Sequence, residues 1–185
     1  GSAANDTMSG GDDADTLYGN GGADSLSGGA GNDVLNGSTA NDTMSGGEGA
    51  DTIYGNAGND SLDGGAGDDQ VYANGASNML GGEGNDQLFG GNGAETILGG
   101  NGADTIYGGN GNGADSIQGG DGNDLLSGEG GNDTIATGTG TDNVLGGDGN
   151  DLIIVLGDGS FAGQTGTDTL QFAGTGRSIN DVSLA

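Results

Sequence analysis

The stretch Gly28-Gly-Ala-Gly-Asn-Asp33 returns eighteen residues later as Gly46-Gly-Glu-Gly-Ala-Asp51, and eighteen later again as Gly64-Gly-Ala-Gly-Asp-Asp69. Each is a glycine turn that ends on an aspartate. The pattern G-G-x-G-x-D stands intact at Gly28, Gly46, Gly64, Gly81, Gly99, Gly119 and Gly146. Glycine reaches backbone conformations with φ > 0 at no steric cost, so such a stretch reverses the chain tightly. A fixed interval between reversals means that equal lengths of chain lie between them.

Those intervening lengths are short strands. Written as x-D-x-U-x-G-G-x-G, with U a large apolar residue, the chain places U at Met8, Leu17, Leu26, Leu35, Met44, Ile53, Leu62, Val71, Leu80, Leu88, Ile97, Ile106, Ile117, Leu126, Ile135, Val144 and Ile153. The step is nine, except for one repeat shortened by a residue between Leu80 and Leu88 and one lengthened by two near Asn110–Gly113. A 36-residue repeat lies above it, residues 5–40 resembling 41–76. In Thr16-Leu17-Tyr18 only Leu17 points inward, because side chains alternate along a strand. Nine residues make half a coil and eighteen a full one. The expected fold is all-β: a right-handed, flattened coil of two parallel sheets with the U residues between them.

Composition alone permits two outcomes. Gly is 49 of 185 residues, Pro, Cys, His, Trp and Lys are absent, and 28 acids face the single base Arg177, for a formal charge of −27. Acidic, apolar-poor chains are commonly disordered. A strict period instead marks a solenoid, and the period decides for the solenoid. The charge argues against nucleic acid and anionic membrane as partners and for cations. No apolar run reaches the length of a membrane span, so membrane insertion is not expected. Gly1-Ser2 reads as a cloning scar and residues 1–4 as a lead-in, so the chain reads as an excised piece.

The nonapeptide G-G-x-G-x-D-x-U-x resembles the repeats-in-toxin (RTX) family, over roughly residues 5–154. The resemblance implies a calcium-binding parallel β-roll, with calcium ions in the turns, each held between turns eighteen residues apart. The physical chemistry agrees. Coils stack about 4.8 Å apart, and aspartates at that spacing repel by about 1 kcal/mol per adjacent pair even in water. Calcium takes six to eight oxygens, and glycine turns supply carbonyls beside the carboxylates.

Successive turns alternate between two edges of the roll. On the first edge the expected carboxylate ligands are Asp15, Asp33, Asp51, Asp69, Asp86, Asp104, Asp124 and Asp142. Expected turn partners there are Gly28, Gly29, Gly31, Gly46, Gly47, Gly49, Gly64, Gly65, Gly67, Gly81, Gly82, Gly84, Gly99, Gly100, Gly102, Gly119, Gly120 and Gly122. On the second edge they are Asp24, Asp42, Asp60, Asp115, Asp133 and Asp151, with Asn78 in place of one aspartate and Glu95 in place of another. The second edge is degraded, most of all over residues 73–95. A full ion column is expected on the first edge and a gapped one on the second. Eight turns per edge leave seven gaps on each, so at most fourteen ions, or +28 against −27.

Tyr18, Asn36, Tyr54, Tyr72, Phe89 and Tyr107 follow U on one sheet and should stack as an outward aromatic row. That row reads as a packing device or as a face for a surface partner or self-association. The other sheet carries hydroxyls, as in Thr7/Ser9, Ser25/Ser27 and Thr43/Ser45, interrupted by Asp63, Met79 and Leu98. No catalytic residue is expected, since His, Cys and Lys are missing. Residues 155–185 read as a C-terminal capping segment: Leu152–Leu156 is apolar on both faces, and Phe161, Leu170 and Phe172 follow it. The resemblance implies a bacterial, extracellular or cell-surface location. It also implies export by type I secretion machinery, folding on external calcium and service to the remainder of a larger parent. The competing expectation is a structural spacer in a surface layer or adhesin.

Overall fold

A strand with one apolar residue between two polar or aromatic neighbours can bury only that one residue. The computed structural model describes residues 1–173 and 179–183, and among them every element is a strand. Odd-numbered strands, from Thr7–Asp12 through Ser25–Ala30 to Thr169–Phe172, form one ten-stranded sheet. Even-numbered strands, from Thr16–Tyr18 through Val34–Ser38 to Ile179–Ser183, form another of equal size. The neighbour of each strand is the next-but-one in sequence, and pairing is parallel, as in Leu26↔Met44 and Leu35↔Ile53. The two-sheet β-solenoid expected from the period is therefore present.

The core is a single file of residues from each sheet. Leu26, Met44, Leu62 and Ile97 line one side and Leu35, Ile53, Leu88 and Ile106 the other, all at most 2 % exposed. Because each sheet rung places one such residue, the ladder's register is pinned: a one-residue slip would turn the apolar residue to water.

That pinning corrects two expectations. Met79, not Leu80, fills the inward position: Met79 pairs with Leu62 and is 2 % exposed, whereas Leu80 pairs with Asp63 and is 39 % exposed. The one-residue shortening therefore lies between Val71 and Met79, in the turn, and not between Leu80 and Leu88. Likewise Ser77, not Asn78, occupies the aspartate position of that turn. Ser77 is buried, and Asn78 lies in the outward row between Ser61 and Thr96. The two-residue lengthening before Ile117 is absorbed in the turn, and Ile117 pairs with Ile97 in register.

The ladder also runs on past residue 154. Leu152–Val155 pairs with Thr134–Thr139, and Asp158–Thr165 with Thr141–Asp148. Ile153, Val155 and Phe161 are buried and Leu170 packs on the core, but Leu152 and Ile154 are half-buried and Phe172 is exposed. Arg177 and Leu184 lie outside the described residues.

Candidate metal centre

The aspartate that closes each turn is turned into the roll. Asp33, Asp51, Asp69, Asp86, Asp104, Asp124 and Asp142 on the first edge are at most 2 % exposed, and Asp15, at the end, is half-buried. One oxygen of each is spent on the fold. The Asp15 amide donates to Asp33 Oδ1 at 2.7 Å, Asp33 to Asp51 at 2.7 Å and Asp51 to Asp69 at 2.7 Å. The chain continues through Asp86, Asp104 and Asp124 to Asp142 without a break.

The second oxygen has no such use. Oδ2 of Asp33, Asp51, Asp69, Asp86, Asp104 and Asp124 is buried without a hydrogen-bond partner. An unpaired buried carboxylate oxygen is costly. Each lies over the α-carbon of the glycine that opens its own turn, where the carbonyl of the next coil also arrives. A Cβ on Gly28 would fall 2.6 Å from the Gly46 carbonyl oxygen and closer still to Asp33 Oδ2. The same pairing of carboxylate with next-coil carbonyl recurs at Gly10, Gly46, Gly64, Gly81, Gly99 and Gly119. Glycine is required there because the oxygens occupy the space of a side chain.

Burial, joined at some of them by neighbouring carboxylates, holds Asp51, Asp69, Asp86, Asp104, Asp124 and Asp142 above the usual range. Burial pushes Asp69 up to about 7, with Asp86 and Asp51 adding to it. Asp86 and Asp124 rise to about 6 for the same reasons. Among the described residues no three acidic side chains converge on one point. The acids instead form a line, one per coil, so a metal must take its other ligands from backbone carbonyls. That donor set, all oxygen and partly carbonyl, suits calcium and not zinc or copper.

The second edge differs along its length. Asp24, Asp42, Asp60, Asp115, Asp133 and Asp151 are all buried. Asp6 and Asp168, which the period reading left out, extend the line at either end: the Asp6 amide donates to Asp24 Oδ1, and that of Asp151 to Asp168 Oδ1. In the turn at residues 37–42, however, the Ser38 amide donates to Asp42 Oδ2 at 2.7 Å, so that carboxylate is satisfied by the chain itself. The Asp60 amide donates not to a carboxylate but to Ser77 Oγ, at 3.1 Å. Aspartate-type bonding resumes only at Glu95, whose amide reaches Asp115 Oδ1 at 2.8 Å. Burial, with Asp115 adjacent, pushes Glu95 up to about 7.

The cradle follows the same division. Gly108, Gly128 and Gly146 each bring together a carboxylate, from Asp115, Asp133 and Asp151, and a carbonyl of the next coil. At Gly37 the next carbonyl stands back at 3.1 Å, and at Gly19 and Gly55 it is further away. The second edge is therefore built like the first only in its later half.

The aromatic row forms a true stack on the even-strand sheet. Ring centroids are 5.1 Å apart for Tyr54–Tyr72, 4.9 Å for Tyr72–Phe89 and 5.5 Å for Phe89–Tyr107, with planes within 12° of parallel. Tyr18 stands apart, separated from Tyr54 by Asn36.

The family model described as RTX calcium-binding nonapeptide repeat (4 copies) matches residues 1–35, 36–71, 72–106, 80–113, 110–144 and 129–158. Comparison with curated proteins gives no match.

Proposed function

Because the chain belongs to the RTX calcium-binding nonapeptide repeat family, we propose that this β-roll folds when it takes up calcium outside the cell and so serves the export and folding of a larger type I secreted protein. The observation that carries this reading is the line of buried, unpartnered carboxylate oxygens, each facing a carbonyl of the next coil. Without a cation that arrangement is a buried column of like charge, which opposes folding. With calcium it is a set of ready oxygen ligands, and binding to the folded state alone drives the equilibrium toward it. A compartment poor in calcium keeps the chain extended and fit for an export channel. A compartment rich in calcium folds it.

In this reading Asp15 to Asp142 and the turn glycines of the first edge hold an uninterrupted column of ions. Asp115, Asp133 and Asp151 hold a shorter one on the second edge. The seven cradles of the first edge and three of the second give about ten ions rather than fourteen. The RTX repeat is a structural calcium-binding module and not a catalytic one, and the residues here are assigned no chemistry beyond holding and ordering.

Calorimetry of the purified chain with calcium, and separately with magnesium, tests the reading. About ten calcium ions per chain, with magnesium unable to replace them, is the expected result. One or two ions, or equal binding of magnesium, would contradict it. The second reading, a spacer or contact element of a surface-layer protein or adhesin, rests on the aromatic stack. Replacing Tyr54 and Tyr72 by Ser separates the two: lost assembly with intact folding favours the second.

A further inference from the structure

Four neighbouring turns of the second edge, the later two of which keep the cradle of carboxylate and carbonyl, also shape a groove. A cavity of about 530 Å³ lies between the aromatic row and those turns, lined by Asn74, Phe89, Asn92, Tyr107, Asn110 and Glu129. Its floor is glycine. The second position of the second-edge turns carries a side chain at Asn20, Ser38, Asn56, Asn74, Glu129 and Gln164 but is glycine at Gly91, Gly109 and Gly147, the first two lying together between Asn74 and Glu129. Two missing side chains open a slot that Asn74 closes at one end and Glu129 at the other. It spans three coil spacings, roughly 14 Å.

We propose that this slot binds a neutral oligosaccharide. Rings along one wall and planar amides along the other are what a sugar needs: apolar C–H faces against aromatic carbon, and hydroxyls paired with groups that both donate and accept. Asn92 Nδ2 donates to Asn74 Oδ1 at 3.2 Å, which aligns the two amides and leaves Asn92 Oδ1 as an acceptor. Tyr107 stacks on Phe89 with one face, and its next neighbour along the sheet is Ser127, so its other face has no ring against it. Glu129 holds its carboxylate at the slot's end from a left-handed backbone, φ 67°, in the position where Gly91 and Gly109 stand on the two preceding coils. A non-glycine residue pays for that conformation, and here the strain falls on a residue that lines the cavity.

Charge narrows the choice of ligand. A chain of net charge −27 with a glutamate in the slot repels anionic glycans. A peptide cannot add as a strand, because the strands beneath the slot are paired on both sides within the sheet. The site is separate from the calcium column of the first edge and does not require it beyond a folded roll.

Hexamers of neutral glucan, mannan, galactan and chitin serve as probes, with polygalacturonate as the anionic control. Binding is followed by tyrosine fluorescence and calorimetry in saturating calcium, with folding checked by circular dichroism. The expected result is saturable binding of at least one neutral hexamer, weakened ten-fold or more by Tyr107→Ser and by Glu129→Gly. The glutamate variant discriminates best, since glycine relieves the backbone strain and should leave the roll at least as stable. No saturable binding by any neutral hexamer, tighter binding of polygalacturonate, or unchanged binding in both folded variants would overturn the proposal.

Discussion

The two edges of the roll are made from the same nonapeptide, yet they have diverged. On the first, seven consecutive amide-to-carboxylate bonds join Asp15 to Asp142. The glycine after each opening residue there, from Gly11 to Gly138, keeps a positive φ. On the second, Ser38 satisfies Asp42, Ser77 replaces an aspartate, and Asn20, Asn56, Glu129 and Gln164 hold positive φ without being glycine. That backbone conformation is kept at only some of the second-edge turns: Ser38, Asn74 and Gly91 stand at the same position without it. The sheets enforce the coil; only the turn residues decide whether a turn is also an ion cradle. Turn positions that do not themselves supply the cradle's oxygens carry other side chains, as around the groove.

The largest effect should come from the middle of the unbroken column. Asp69→Asn keeps an oxygen for the Asp51 amide but removes the charge. In calcium it should raise the half-saturation concentration roughly a thousand-fold, about 4 kcal/mol, the scale of removing one partner from a buried charged contact. In chelator it should stabilise the chain, because one buried like charge is gone. Asp42→Asn on the second edge should change calcium affinity little. Equal effects at both positions, in titrations followed by circular dichroism, would dissolve the distinction between the edges.

Next in size is backbone strain. Gly65 has φ 111°, and a Cβ there would run into the Gly47 carbonyl. Gly65→Ala should lower urea stability in calcium by about 3 kcal/mol, at the upper end of ordinary single substitutions. The counterpart on the other edge reverses the sign: Asn56, at φ 65°, gains about 1 kcal/mol when replaced by Gly. A destabilised Asn56→Gly would mean that its side-chain bonds to Tyr54 and Asn36 matter more than the strain.

Acidity gives a smaller, graded effect that both edges share. Burial first, then neighbouring carboxylates, raise Asp69 and Asp133 to about 7 and Asp86 to about 6 in the folded state, above the 3.8 of an unperturbed aspartate. The folded state then binds more protons than the unfolded one, so metal-free stability falls as pH rises from about 4 to about 7. β-structure in chelator should therefore increase on acidification through this window. Saturating calcium should flatten the dependence near neutral pH. A metal-free chain that loses structure on acidification over the same range would reverse the sign and contradict the buried-charge account.

The smallest of these changes is in the stack. Tyr72 contacts two rings, and each such contact contributes about 0.5–1.5 kcal/mol beyond burial. Tyr72→Ser should cost roughly 1–3 kcal/mol in urea unfolding, without altering the calcium count.

Fold class, alternation of edges and the line of buried aspartates on the first edge are all legible in the sequence, because spacing alone carries them. The local register at Met79 was misread because two apolar residues stand side by side and the nine-residue step favoured Leu80. A firmer signal was present: in Leu26-Ser-Gly28, Met44-Ser-Gly46 and Leu62-Asp-Gly64 the inward residue precedes the glycine pair by two, which selects Met79 before Gly81. Anchoring on the glycines also moves the aspartate position to Ser77. The capture of Asp42 by Ser38, and the groove opened by Gly91 and Gly109, depend on where backbone amides and missing side chains meet in space. No periodicity encodes that.

Far-UV circular dichroism during a calcium titration from chelator, with magnesium in parallel, tests the central claim most directly. A cooperative change from coil to β-structure with calcium alone is the predicted result. A chain already rich in β-structure in chelator at neutral pH would show that the carboxylate column tolerates its own charge, and that calcium does not drive the fold.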